Sequence, residues 1–398
     1  MNKKALIALS TTTALTAVTA EFKQESPEKY WDVPGLLTEV PKYKKSTFAD
    51  SDADGLQAVL IRGYKRRPGQ KNIGSSSPDP LSTRTRGDFF AYIGFPSGPA
   101  PKGGFPGIVL IHGGGGTAYP LYARRWIRKG YAVIALDWYN QRPTFKGTTQ
   151  SKIKAQIPLA GGKIQDHVAN VANMILCHSL LRSLPNVNPD KTAFVGLSWG
   201  SWYGAMVASI DNRFQGGVEI YCGDVKRDKD VFTNGRFHHA AKIPLYWIAS
   251  TIDQNMTLST LNEAEKECPT FYNKTIVNNL PHSHVGFDFE ACFRMASHFT
   301  RKQPGLPKLG KITQKGNVVS AKILEPGKGI TYAVLNYTET SKEVRYHERE
   351  WKSIPAEIKG DTITAKVPAK AHHYYLSAYE KDSKFHDLCG STETIVIE

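Results

Sequence analysis

The sequence predicts an α/β fold: an open, mostly parallel sheet with helices on both faces, followed by a small C-terminal β-sandwich. Three observations predict it. Between residues 107 and 250, short uninterrupted apolar runs alternate with stretches of helical spacing, the pattern of strands buried on both faces of a parallel sheet. Beyond residue 300 the texture changes to period-two alternation punctuated by turn signals such as Pro326-Gly327 and Lys359-Gly360. At 398 residues the chain is also too long for one ordinary core.

Each element follows in chain order. Lys3 and Lys4 precede an apolar or small stretch over 5–18, and Val18-Thr19-Ala20 offers small residues at a cleavage site. Residues 1–20 therefore read as a signal peptide, and the mature protein as secreted or periplasmic. A membrane anchor is the competing reading, but threonines dilute the stretch and no second apolar span follows. Residues 21–105 form an N-terminal extension expected to pack on the domain that follows, polar and broken by Pro and Gly up to about residue 86, with an aromatic alternating strand over 88–95 and a turn-rich connector after it.

Residues 106–301 form the main α/β domain, with strands expected at 107–111 (GIVLI), 131–136, 191–197, 217–221 and 244–250, and helices at 119–129, 164–184 and 201–210. Residues 302–398 form the β domain, with strands at 317–324, 330–336, 362–367, 374–379 and 394–397.

Composition narrows the function classes. Aliphatic and aromatic residues make up 40% and charged residues 22%, with no low-complexity tract, which excludes disordered and fibrous chains. The net charge is +15, a balance that suits anionic surroundings. The basic residues are nevertheless scattered in clusters as small as Lys65-Arg66-Arg67 and Arg124-Arg125, so they read as a solvated surface, and no nucleic-acid partner is expected. Among the five cysteines, Cys268 and Cys292 bracket a histidine-rich loop and are the candidate disulfide, five buried thiols being the alternative. No histidine or cysteine cluster has metal-ligand spacing, so neither metal nor cofactor is expected.

The chemistry centres on Gly196-Leu197-Ser198-Trp199-Gly200, a G-x-S-x-G sequence where a buried strand gives way to a helix. A serine at such a bend is exposed at the top of the sheet, and neighbouring chain approaches so closely that only glycine fits at the flanking positions. A serine nucleophile also needs a base and a site for the developing oxyanion. His112 is followed by four glycines, Gly113 to Gly116, directly after the strand GIVLI, and such a loop leaves backbone N–H groups free to face a ligand. His112 itself reads as a structural histidine under that loop. Asp253 lies just past the strand over 244–250, on the same sheet edge as the serine. Asp224, after the preceding strand, is its rival. In Leu280-Pro281-His282-Ser283-His284, either histidine stands where it could reach Ser198.

These residues resemble an α/β hydrolase. More narrowly, PGIVLIHGGGGTAYPLYARRWIRKGYAVIALD and HSLLRSLPNVNPDKTAFVGLSWGSW are similar to the dienelactone-hydrolase-like and acetylxylan-esterase-like branch, a likeness covering about half the chain. The resemblance implies Ser198 as nucleophile, Asp253 as acid and His284 as base, with His282 beside the site. It implies an oxyanion hole from Gly113 or Gly114 together with the N–H of Trp199. Relatives named for dienelactone use a cysteine nucleophile, so the serine here moves the expectation toward ester hydrolysis. Ser201 and Trp202 depart from the residues that often follow the elbow.

Trp138, Tyr139, Trp199 and Trp202 could form an aromatic platform for substrate, or simply pack the core. Lys146, Lys152, Lys154 and Lys163, on or beside the 139–162 stretch where hydrolases insert lids, could meet an acidic substrate.

The expected function is an exported serine esterase that deacylates polysaccharide, its partner being an acylated polysaccharide or small ester. A prolyl-oligopeptidase-like peptidase is the second reading, disfavoured because residues 21–105 cannot hold a propeller. A non-catalytic polysaccharide-binding protein on a hydrolase scaffold is the third.

Overall fold

The structure, a computed structural model, describes residues 24–50, 52–73, 87–138, 166–222, 235–258, 260–341 and 343–397. The 1–20 leader, Tyr139, Asp224 and the lysine-bearing 139–162 stretch with Lys163 lie outside the described residues.

Nine strands form the first sheet: β1 (Tyr43–Lys45), β2 (Leu56–Arg62), β3 (Asp88–Gly94), β4 (Phe105–Ile111), β5 (Ala132–Leu136), β6 (Val187–Leu197), β7 (Gly217–Ile220), β8 (Leu245–Ser250) and β9 (Phe271–Val277). Their spatial order is β1-β2-β3-β5-β4-β6-β7-β8-β9. The pairings from β1 to β5 are antiparallel, and those from β5 to β9 are parallel. Helices α1 (Val33–Thr38), α2 (Pro120–Arg128), α3 (His167–Ser183), α4 (Trp199–Ile210), α5 (Gly235–His238), α6 (Leu261–Glu267) and α7 (Glu290–Arg301) accompany it.

The apolar runs are explained by burial on both faces. Val109 and Ile111 of β4 enter a core shared with α3 and α4, whereas Ile108 and Leu110 enter a second core with Trp126 of α2 and Met295 of α7. Fully burying a side chain of that size stabilises the fold by about 1.5–3 kcal/mol, so no polar residue is found along GIVLI.

Two parts of this sheet differ from the sequence expectation. The N-terminal extension supplies β1 and β2, which lengthen the sheet rather than only covering it; Val59 and Ile61 of β2 are fully buried. Strand β9 was not expected because Asn273 and Lys274 interrupt its apolar pattern. Both are buried and satisfied: Asn273 donates to Pro307 O at 2.8 Å, and Lys274 pairs with Glu265.

The C-terminal strands are β10 (Lys308–Leu309), β11 (Thr313–Lys315), β12 (Val318–Glu325), β13 (Tyr332–Thr338), β14 (Lys352–Lys359), β15 (Thr362–Lys366), β16 (His373–Tyr379), β17 (Cys389–Ser391) and β18 (Ile395–Val396). They pair antiparallel along β10-β12-β15-β14-β13-β16-β17, with β11 on β12 and β18 on β16. The sandwich is thus one sheet that passes through β14 from one layer to the other and nearly closes around a core containing Val319, Leu335, Ile363 and Leu376. Pro355 and the lysines of β14 hid that strand from sequence reading.

All five cysteines are buried free thiols. The expected Cys268–Cys292 disulfide is not formed: Cys268 Sγ faces Thr270 Oγ1 at 3.8 Å and Cys292 Sγ faces Gly286 O at 3.6 Å. Among the described residues no helix is long and apolar enough to cross a membrane.

Candidate active site

The site is assembled from the carboxyl ends of adjacent strands. Ser198 follows β6 with φ 55° and ψ −116°, a left-handed conformation that a side chain rarely tolerates and that costs about 1–3 kcal/mol. The flanking glycines are required by close approach: a Cβ at Gly196 would stand 2.3 Å from Gly200 O, and one at Gly200 would stand 2.0 Å from Ile111 O. The bend is fixed by Ser198 N–H donating to Ile220 O at 2.8 Å. The Ser201 hydroxyl, a departure from the relatives' pattern, reaches both Ser198 O at 2.7 Å and Tyr221 O at 2.9 Å.

His282, rather than the His284 expected there, stands beside the serine. His282 Nε2 lies 2.8 Å from Ser198 Oγ, and His282 Nδ1 lies 2.7 Å from Asp253 Oδ2. A carboxylate only accepts, so Nδ1 carries the proton and Nε2 is left to accept from the serine hydroxyl. Asp253, buried past β8, uses its second oxygen to accept from Asn255 N–H at 2.8 Å and Met256 N–H at 3.0 Å, which fixes the carboxylate plane.

His284 is turned away by local structure. Ser283 caps a short 3-10 helix (His284–Asp288), its hydroxyl accepting from Val285 N–H at 3.3 Å, so His284 starts a helical turn while His282 stays in the extended loop after Pro281. The His284 ring packs on Tyr119 at 5.1 Å between centroids and faces the glycine loop. Burial, with the charges of His112 and His282 adding to it, pushes its pKa down to about 4. Its Nε2 is buried without a hydrogen-bond partner among the described residues.

The glycine loop lies beside the serine because β4 and β6 are paired, with Ile111 opposite Gly196. A Cβ on Gly114 would come within 2.6 Å of Trp199 Cδ1, and one on Gly113 within 3.1 Å of Leu197 O, so both glycines press against the elbow. His112 sits under the loop as expected, with Nδ1 2.7 Å from Gly113 O and Nε2 3.4 Å from Asp137 Oδ1.

Of the four aromatic residues expected either to face substrate or to pack the core, Trp138 and Trp202 pack inward. Trp138 is 2% exposed, stacks on His112 and donates to His112 O at 2.7 Å, so it supports the loop from below. Trp202 is buried and its Nε1–H points at Met256 Sδ, 3.0 Å away. Among the described members of the four, Trp199 is half-buried and keeps part of its surface open.

Sequence reading missed Tyr221. It follows β7 with φ 55°, stacks on His282 at 4.4 Å between centroids and donates to Pro281 O at 3.1 Å. Its position directly past the strand next to the elbow was the available signal.

The arrangement can activate a hydroxyl for attack on an electrophilic carbon and hold a developing anion next to backbone N–H groups. No cluster of residues able to hold a metal occurs among the described residues.

Parts of the chain are similar to known proteins. Residues 89–282 match the model of the Dienelactone hydrolase family. Among solved structures, the acetyl xylan esterase from Paenibacillus sp. R4 is similar at 14% identity and a TM-score of 0.49, over 70% of this chain and 97% of that one. Acetyl xylan esterase 1 from Thermoanaerobacterium sp. JW/SL YS485 is similar at 14% identity and 0.44, over 70% and 94%. A puromycin-hydrolyzing peptidase of Mycobacterium tuberculosis is similar at 15% identity and 0.42, over 62% of this chain and 46% of that one. A comparison with curated proteins finds no match. With its parallel sheet order and the elbow after β6, the chain is thus similar to the Dienelactone hydrolase family over the matched segment 89–282.

Proposed function

We propose that this protein is an exported serine carboxylic-ester hydrolase that removes acyl groups from carbohydrate. The observation that carries this reading is the hydrogen-bonded series Ser198 Oγ, His282 and Asp253, at 2.8 and 2.7 Å. In the mechanism, His282 takes the hydroxyl proton as Ser198 attacks the ester carbonyl, and Asp253 steadies the imidazolium. The N–H groups of Trp199 and of Gly113 or Gly114 receive the tetrahedral oxyanion. His282 then protonates the departing alcohol, leaving an acyl-enzyme. Water, deprotonated by His282, attacks that ester, and collapse of the second tetrahedral species releases the acid and restores Ser198.

Serine rather than cysteine at the elbow favours esters. Carbohydrate as the alcohol part is favoured by the export signal read in residues 1–20 and by the half-open Trp199 ring beside the serine, a surface on which a sugar face can pack.

A chromogenic acetate ester assayed against the wild type and Ser198→Ala tests the chemistry. Turnover that falls at least about 10³-fold in the variant is the expected result. Equal rates for the two proteins would leave only the non-catalytic binding reading. A screen of acids released from acetylated and feruloylated polysaccharides then identifies the acyl group.

A further inference from the structure

The C-terminal sheet lies outside the segment that matches the family, yet it is wired into the loop that carries His282. Residues 278–281 connect the end of β9 to that histidine. Asn278, the first of them, donates from Nδ2 to Asn336 Oδ1 at 2.7 Å and to Ser353 Oγ at 3.1 Å, and accepts at Oδ1 from the Tyr375 hydroxyl at 2.6 Å. All three partners belong to the β domain. Asn279, in the left-handed region at φ 54°, donates from Nδ2 to Trp351 O at 3.4 Å.

The same β-domain residues close a polar circuit back onto β9. Asn336 Nδ2 donates to Ser377 Oγ at 3.2 Å, Ser377 and Ser391 hydroxyls lie 2.9 Å apart, and Ser391 Oγ accepts from Ile276 N–H at 3.0 Å. Asn336 and Ser377 are fully buried, where a satisfied polar network fixes one geometry and a broken one is costly.

On the other side, the loop is braced to the acid's loop. Asn279 N–H donates to Thr251 Oγ1 at 2.9 Å and Ser250 Oγ donates to Leu280 O at 2.5 Å, both within the segment leading to Asp253.

From this juxtaposition we infer that Asn278 is a positioning residue for the reaction, and that the β domain serves catalysis by holding the His282 loop in register with Ser198 and Asp253. The inference rests on the catalytic reading of those three residues. The loop's backbone carries its own ties to the hydrolase domain, through Asn279 N–H, Leu280 O and Pro281 O, and the β domain adds the side-chain anchor at its entry. A displacement of about 1 Å of a catalytic group costs up to about 10²-fold in rate, so loosening one anchor is expected to be visible in turnover without removing any group that touches substrate.

The test uses the full-length protein and the variants Asn278→Ala, Ser353→Ala and Tyr375→Phe, with Ser198→Ala alongside. Steady-state kcat and KM on a chromogenic acetate ester, the rate of Ser198 labelling by a fluorophosphonate, and the urea unfolding midpoint are measured for each. Expected are a roughly tenfold lower kcat in Asn278→Ala, a matching loss in labelling rate, and KM within about twofold of wild type. Tyr375→Phe and Ser353→Ala, which each remove one of the three Asn278 side-chain bonds to the β domain, are expected to fall between it and wild type. Wild-type kcat and labelling rate in all three, even with a lowered unfolding midpoint, would mean the contacts only join the domains and would overturn the inference. Undiminished turnover in Ser198→Ala would overturn the catalytic reading instead, so the two failures are distinct.

Discussion

The ring of His282 lies against the ring of Tyr221, with planes 30° apart and centroids at 4.4 Å. One face of the imidazole is thereby covered by a phenol whose hydroxyl also holds Pro281 O, and rotation away from Ser198 would break that contact. Tyr221→Phe keeps the stacking and loses the bond, so kcat is expected to fall only about threefold. Tyr221→Ala frees the ring and is expected to cost on the order of 10²-fold. Steady-state kinetics on one ester distinguishes the two.

Two histidines two residues apart are assigned opposite fates. His282→Ala is expected to lower kcat by about 10⁴-fold or more, as losing a triad base does elsewhere. His284→Ala, which removes a ring packed on Tyr119 and the glycine loop, is expected to cost about tenfold at most. In the wild type, the His284 imidazole should show no protonation between pH 8 and 5.5 by NMR, because its pKa is pushed down to about 4.

Gly200 carries a steric prediction. Its added Cβ would stand 2.0 Å from Ile111 O, a backbone atom that moves only if β4 moves. Gly200→Ala is expected to destabilise the protein by about 3 kcal/mol, and the displaced elbow to lower Ser198 labelling as well. Urea denaturation and fluorophosphonate labelling check the two effects separately.

Glu219, in the middle of β7, is fully buried, and neither carboxyl oxygen has a hydrogen-bond partner among the described residues. Burial pushes its pKa well above the usual 4.5. Between the unfolded and folded values the unfolded chain is ionised while the native one keeps its proton, so the native state binds more protons and stability falls as pH rises. Glu219→Leu removes this dependence. The variant's gain in unfolding free energy over wild type is therefore expected to grow as pH rises above the ordinary carboxylate range, by up to about 1.4 kcal/mol per pH unit.

The legible parts of the sequence were those in which local chemistry and fold impose the same pattern. GIVLI, the glycines around Ser198 and Asp253 at a strand end were readable because burial on both faces, close chain approach and a shared sheet edge each demand particular residue types. Strand β9 was not, because the buried Lys274 and Asn273 are satisfied by Glu265 and by Pro307 O, partners that only the folded arrangement brings to them. His284 was the expected base because Ser283 before it and Gly286-Phe287 after it resemble the histidine loop of these hydrolases, whereas Ser283 acts as a cap that puts His284 inside a helical turn and leaves His282 in the loop after β9. Trp138 was readable as an aromatic near the site, but whether it faces solvent or the underside of a loop depends on His112 O, a partner set by the tertiary fold.

Among the described residues strand β9 ends the first sheet, and its outer rim is met by side chains and carbonyls of the C-terminal domain. Ser391 occupies the Ile276 amide, Thr275 turns its hydroxyl to Cys389 O, and Asn273 reaches Pro307 O. A terminal strand left bare is a template for pairing with a second molecule. The β domain therefore also acts as a guard against self-association, and a chain cut after Arg301 should come out of the cell clumped rather than merely slow.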